Sequence, residues 1–306
     1  MIEYFAAIMK SGKSTNYIKA IASTLLAFLM LSSVSVLAKL EMQAGASLEW
    51  VVFMQFTVSL ILVLAIASRQ GFDTLRAKNV KFQLVRGIAG TAAFTCYALS
   101  FSKIPLVNAS LLNNTAPIFI PIVTYLWLRV PIDKNIWWGI IVGFAGILLI
   151  LDPSAENFLK MGDLYGLASG IFLAIAYTAL GRLTKSETFV SIIFYYTSIC
   201  VIALLPFAII NWSYPDPHVY VLAAVSGVLY IAYLFTLQYA YKYMPAVKLS
   251  PLIFSAVVFT GLLDWIVFGN VPGWMTVSGI VLVIAGGVLA IMIHEKDNKE
   301  LRHHWQ

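Results

Sequence analysis

Asn113-Asn114-Thr115-Ala116-Pro117, followed by Pro121, sets two carboxamides beside two helix-breaking residues inside an apolar run. Proline has no amide hydrogen and clashes with the carbonyl four residues back, so the carbonyls of Asn113 and Pro117 are expected to lose their helical partners. Freed carbonyls next to carboxamides suit the ammonium or hydroxyl groups of a polar ligand. Ser110, Asn114 and Pro117 share a helix face by their spacing of four and three, with Asn113 just beside it. The competing reading is a kink whose polar groups are satisfied by neighbouring helices.

Aromatic side chains with polar tips recur in other apolar runs: Tyr97, Tyr177, Tyr230, Tyr233 and Trp265. Tyr230 and Tyr233, three apart and followed by Gln238, could stack on a planar ligand and orient it by hydrogen bonds; buried packing is the alternative. These residues, with Asn113 and Asn114, form the candidate substrate contacts. Asp264 lies inside an apolar helix, in Gly261-Leu262-Leu263-Asp264-Trp265. An ionisable group there is a functional candidate, which makes a proton a possible partner and Asp264 its carrier. Alternatively Asp264, about one turn from its helix end, reaches water or Lys39, Lys103 or Lys160.

The elements that hold these residues are membrane spans. The chain is 60% hydrophobic and 11% charged, with a mean hydropathy of +0.87, far from a soluble globular composition. Ten apolar runs of bilayer-crossing length occupy 18–38, 50–67, 82–102, 106–128, 136–151, 164–181, 191–210, 220–239, 246–268 and 274–293. None shows the period-two alternation of a membrane β-barrel, so the expectation is an all-α polytopic protein embedded in a lipid bilayer. With a cytoplasmic amino terminus, all of the 20 Lys and Arg except Lys39, Lys103 and Lys160 fall on the cytoplasmic side. Ten spans then put both termini in the cytoplasm. The net charge of +6 is a topological signal and calls for no nucleic-acid partner.

The chain also repeats itself. Pro105 matches Pro245, Val107 matches Val247, Ser110 matches Ser250, Ala116 matches Ala256 and Phe119 matches Phe259, each 140 residues apart (245 − 105 = 140). The same offset aligns Gly139-Ile140 with Gly279-Ile280 and Ala145-Gly146 with Ala285-Gly286. Two halves of five helices follow, the second entering the membrane from the opposite side because five is odd. The expected organisation is a cytoplasmic segment 1–17, a first repeat 18–151, an external linker 152–163, a second repeat 164–293 and a charged cytoplasmic tail 294–306. Inverted repeats let one half rock against the other around a midplane site, the geometry of alternating-access transport.

With these features the sequence resembles the drug/metabolite transporter superfamily, specifically the bacterial EamA type with two tandem five-helix repeats. The resemblance rests on Arg86-Gly87 opening the third helix, Ser100 to Pro105 with Val107 to Ser110, Pro117, Gly139 to Gly146, Ala240 to Pro245, and Gly279 to Gly287. Where that family usually carries a Glu just after the fourth and ninth helices, Arg129 and Gly269 stand here. The resemblance implies a location in the bacterial inner membrane. It also implies secondary transport of a small metabolite, in either direction.

Motifs of other classes are missing. There is no Walker loop, no His-Glu-x-x-His pair and no nucleophile motif, so an enzyme is not expected and no cofactor is implied. His303-His304 has no third ligand nearby, and no metal is assigned. Gly139-x-x-x-Gly143 and Gly166-x-x-x-Gly170 let helices approach closely, inside one subunit or across a homodimer, so monomer and homodimer both stand. The polar, tyrosine-rich, nearly uncharged lining favours a neutral or zwitterionic ligand: an amino acid or a derivative such as S-adenosylmethionine. Transport coupled to protons or run as exchange is the expected function. The alternative is a non-transporting membrane receptor or scaffold on the same fold.

Overall fold

The computed structural model describes residues 12–101, 103–104, 106–130, 134–151, 160–269, 271 and 273–303. Most of the expected amino-terminal segment, linker residues 152–159 and the last three residues, including His304, lie outside them. The described residues form helices and no strands. In chain order these are α1 (Gly12–Gln43), α2 (Leu48–Gln70), α3 (Val80–Phe101), α4 (Leu106–Asn113), α5 (Ala116–Leu128), α6 (Ile136–Leu151) and α7 (Met161–Leu183). They continue with α8 (Phe189–Ile210), α9 (Pro217–Tyr243), the single turn α10 (Ala246–Leu249), α11 (Ser255–Phe268) and α12 (Trp274–His303).

Seven stretches are long and apolar enough to cross a bilayer, and two shorter apolar helices cover Ile136–Leu149 and Trp274–Leu289. The 22-residue α3 carries Lys81, Gln83 and Arg86 in its first two turns and no charged residue after them. Large apolar side chains such as Leu126, Ile202 and Ile210 are exposed on the outside of the bundle, as a lipid-facing surface requires. Both end helices overrun the apolar runs seen in the sequence. α1 begins at Gly12 rather than near residue 18, and α12 continues to His303 through the charged segment expected as a tail. Glu, Lys, Leu and Arg are good helix formers, so the hydrogen-bond ladder continues past the apolar stretch.

Two of the expected spans are broken. Run 106–128 separates into α4 and α5 at Asn114–Thr115, where Pro117 cannot donate to the carbonyl of Asn113. Run 246–268 contains a 3-10 turn, Ser250–Phe254, that begins at Pro251's neighbour and joins α10 to α11. The first break was legible in the sequence; the second was not singled out there.

The packing is reciprocal between the halves. α3 lies on α7 and α9 on α1; α3 meets α8 and α9 meets α2; α4 and α5 lie on α7 while α11 lies on α1. α2 pairs with α8, and α6 with α12. The α6–α12 crossing shows the same exchange at atomic scale. A Cβ added to Gly146 would meet the Gly279 carbonyl oxygen at 2.6 Å, and one added to Gly286 would meet that of Gly139 at 2.7 Å. The helices therefore touch backbone to backbone through residues paired by the 140-residue offset, as small residues allow. Gly166 and Gly170 face α4 through Leu112, so both small-residue motifs are used within one subunit.

The helix caps follow the same exchange. Ser47, the N-cap of α2, accepts from the Trp50 amide and donates to the carbonyl of Asn211 after α8, at 2.6 Å. Thr188, the N-cap of α8, accepts from the Ser191 amide and donates to the carbonyl of Thr74 after α2, at 2.7 Å.

Candidate functional site

The most polar part of the interior is built around Arg86, one and a half turns into α3. Its position, six residues after Val80, puts it about 9 Å along the helix axis. The residue is 3% exposed, and its guanidinium carbon lies 3.9 Å from the centre of the Tyr196 ring. Gly90, one turn further on, leaves the space: a Cβ there would stand 2.7 Å from Tyr196 Cε2 and 2.8 Å from Arg86 Nη1.

Tyrosines from three helices of the second half close around this cation. Tyr177 from α7 bonds Tyr233 from α9 at 3.1 Å between hydroxyls, and Tyr196 from α8 bonds Tyr230 from α9 at the same 3.1 Å. All four are buried; Tyr196 lies against Arg86, and Tyr230 joins Tyr196 to Tyr233, its ring centroid 5.5 Å from that of Tyr233. Tyr241, three turns from Tyr230 on α9, packs edge-on against Tyr177 with centroids 6.3 Å apart. From the first half, Phe56 of α2 packs edge-on against both Tyr196 and Tyr230, and Phe28 of α1 lies beside Tyr233. Both halves thus contribute to one cluster.

The cluster does not satisfy all of its own polar groups. Arg86 Nε, the Tyr241 hydroxyl and Gln238 Oε1 are buried without a hydrogen-bond partner. A hydroxyl carries one hydrogen, so the Tyr177–Tyr233 bond uses one and leaves the other to donate. No carboxylate among the residues whose side chains are described reaches Arg86. Asp73 pairs with Arg76, Asp264 pairs with Lys39, Asp163 accepts from the Lys160 amide, and Glu187 accepts from the amides of Lys78 and Asn79. Glu41, Glu49 and Asp216 lie near the ends of α1, α2 and α9 that face away from the start of α3. Burying a guanidinium costs several kcal/mol. A desolvated cation–π contact returns about 2 kcal/mol of that. The site therefore carries an uncompensated positive charge.

A second polar group surrounds the α4–α5 break. The Asn114 side-chain amide donates to the Ser110 carbonyl at 2.8 Å, and Asn113 Oδ1 accepts from Ser169 of α7 at 3.1 Å. Tyr97, 11 residues beyond Arg86 on α3 and so about 16 Å along the axis, bonds Ser110 Oγ at 2.8 Å. Thr115 Oγ1 donates to the Leu112 carbonyl at 2.5 Å. The break is held by its own side chains.

Of the residues singled out in the sequence, the fold brings Tyr177, Tyr230 and Tyr233 into the Arg86 cluster and buries Gln238 on the same helix. Tyr97, Asn113 and Asn114 gather at the break. Trp265 is 45% exposed on α11 and joins neither group. Asp264, on the same helix, forms a 2.6 Å ion pair with Lys39 of α1, and Lys39 also sits 3.9 Å over the Phe268 ring. Arg86, Tyr196 and Tyr241 were missed. In the sequence Arg86 counted among the cytoplasmic charges; the fold places it inside the helix instead. The available signal was its position four residues inside run 82–102. Glu41 was likewise passed over as a helix-end residue, yet its side chain is fully buried with both carboxylate oxygens unpartnered.

Fold and site together define a polytopic helical membrane protein with a cluster of buried polar groups between its helices. The profile of the EamA-like transporter family matches residues 18–152 and again 160–292, so the chain belongs to that family. It is 26% identical over 266 residues to the pseudopaline exporter of Pseudomonas aeruginosa, covering 86% of this chain and 93% of that one. The S-adenosylmethionine uptake transporter of Rickettsia bellii is 25% identical, with 80% and 84% covered. The riboflavin transporter of Vibrio cholerae is also 25% identical, with 85% and 88% covered. A solved crystal structure at 19% identity superposes with a TM-score of 0.76 over 90% of this chain and 98% of its own, which bears on the fold alone.

Proposed function

We propose that this protein is a secondary active transporter of a small organic metabolite in the bacterial inner membrane. In this reading ten spans form two inverted repeats, 18–151 and 164–293, joined by an external linker at 152–163, with both termini cytoplasmic. One half rocks against the other and opens the central site to each face in turn. The reciprocal helix packing and the exchanged Gly139/Gly279 and Gly146/Gly286 contacts support the repeat. The observation that carries the function is the Arg86–tyrosine cluster: unsatisfied polar groups buried between helices of both halves have no structural use and suit a ligand.

The ligand contacts in this reading are Arg86, Tyr177, Tyr196, Tyr230, Tyr233 and Gln238, with Asn113 and Asn114 holding the α4–α5 break on which the halves pivot. Relatives that carry pseudopaline, S-adenosylmethionine and riboflavin support a small organic substrate, and an amino acid or a derivative such as S-adenosylmethionine suits the lining. One of those relatives is named an exporter and another an uptake system. Direction therefore follows the prevailing gradients rather than the scaffold. Asp264 enters as a proton-sensitive latch. Its pair with Lys39 joins α1 of the first half to α11 of the second, and a proton on the carboxylate removes that attraction.

Counterflow tests the reading. Purified protein in liposomes preloaded with a mixed pool of unlabelled metabolites is expected to accumulate at least one of labelled amino acids, S-adenosylmethionine or riboflavin. Folded protein that accumulates none across a much larger pool would return the chain to the receptor or scaffold class. For the latch, Asp264→Asn should flatten the pH dependence of uptake, and an unchanged profile ends the coupling idea.

A further inference from the structure

We infer that the substrate carries a carboxylate and that Arg86 is the residue that binds it, flanked by the hydroxyls of Tyr233 or Tyr177 and of Tyr241. The inference rests on the transport reading for its setting, but its chemistry comes from the site. A guanidinium that is 3% exposed, stacked on Tyr196 and lacking a carboxylate partner among the described residues, is a cation awaiting an anion. Its Nε hydrogen is unassigned, the Tyr241 hydroxyl is unpartnered, and the Tyr177–Tyr233 pair holds one hydrogen in reserve. These are donors, and a carboxylate is acceptor-only.

Charge balance selects among anions. Among the described residues the contacts of the cluster include one Arg and no Lys, so a singly charged group neutralises it and a phosphate dianion would leave an excess negative charge. Planarity selects further, because a guanidinium presents parallel N–H bonds that match the two oxygens of a carboxylate. The unpartnered Gln238 Oε1 supplies an acceptor on α9 for an amine elsewhere on the same ligand. An α-amino acid moiety satisfies both ends. Gly90 lets Tyr196 and Arg86 pack against the α3 backbone with no side chain between them.

The test uses the full chain in two measurements. In counterflow, unlabelled amino acids are expected to compete with the accumulating label, while the corresponding amino-acid amides compete at least about tenfold more weakly, the cost of one charge-assisted bond. Arg86→Gln should raise the half-saturation concentration about tenfold or more, and Arg86→Lys, which keeps the charge without the fork, should fall between. The second measurement is the thermal stability of detergent-purified protein. A mixture of amino acids should raise the melting temperature of the wild type, the amide mixture should not, and Arg86→Gln should abolish the response.

Without ligand, the Gln variant should melt no lower than the wild type, since it removes an unpaired buried charge. Amides that compete as well as acids, or a Gln variant with unchanged half-saturation, would overturn the assignment. So would a ligand-free Gln variant that melts well below the wild type, which would mark Arg86 as structural. Carboxylate-dependent stabilisation without any counterflow keeps the anion site and rejects transport; counterflow with no preference for the acid does the reverse.

Discussion

Two polar regions lie along α3, about 16 Å apart, and they treat their polar groups in opposite ways. At the α4–α5 break Asn113, Asn114, Tyr97, Ser110 and Ser169 bond one another or nearby carbonyls. Around Arg86 its Nε, the Tyr241 hydroxyl and Gln238 Oε1 are left without partners although they are buried more deeply than the mostly half-buried groups at the break. A buried polar network that satisfies itself fixes one geometry, whereas one that does not is held at a cost of about 1–3 kcal/mol per orphaned group. The first is built like a joint, and the second keeps polar groups that the chain itself does not pair.

Several substitutions would break or sharpen that contrast. The largest effect is expected at Gly90. Gly90→Leu drives a side chain into Tyr196 and Arg86 Nη1 and should lower counterflow by more than about 100-fold, against an overpacking cost of about 1–3 kcal/mol. Counterflow near wild-type level would show that transport survives displacement of Arg86 and Tyr196, against a role for the cluster.

Next comes the break. Asn113→Ala removes the 3.1 Å Ser169 contact but leaves Ser169 its 2.6 Å bond to the Gly166 carbonyl, so it should destabilise the protein by about 0.5–1.5 kcal/mol, read as a lower melting temperature in detergent. Apparent affinity should stay within about twofold. A large affinity loss at unchanged stability would move the carboxamides into the ligand site and erase the distinction.

A smaller change is expected from Tyr233→Phe, which removes one hydroxyl from the Tyr177 pair. Half-saturation should rise by about 2- to 10-fold, the range of a neutral hydrogen bond, as measured by concentration-dependent uptake. The least is expected at the rim. Lys39→Ala breaks an ion pair whose side chains are 44% and 30% exposed, and such pairs contribute about 0–1 kcal/mol. Its melting temperature should hardly move, and a large drop would mean that the α1–α11 contact holds the two halves together.

The contrast also separates what could be read early from what could not. The α4–α5 break was legible because proline acts on its own chain: the carbonyl four residues back loses its partner wherever the helix is placed. The exposed position of Trp265 and the pairing of Asp264 with Lys39 depended on which face of α11 meets α1, and a single helix pattern does not contain that. Tyr230 and Tyr233 were marked by spacing alone, but their partners Tyr196 and Tyr177 come from helices 34 and 56 residues away.

The sequence by itself determined the membrane class, the family and the duplication, since hydropathy, charge asymmetry and the 140-residue offset are properties of the chain in order. It also marked Gly139 as a position able to approach another helix closely, while Gly146, Gly279 and Gly286 stood out in it only as matches of the 140-residue offset. Only the tertiary structure decided that Arg86 is a buried, unpaired cation. In order along the chain Arg86 follows Lys78 and Lys81 and reads as one more anchoring charge. Once α3 packs on α7 and α8, the same residue faces Tyr196 instead of water or headgroups. Whether a charge is solvated, paired or left open to a ligand depends on what faces it across the helix interface. That is set by packing between distant segments.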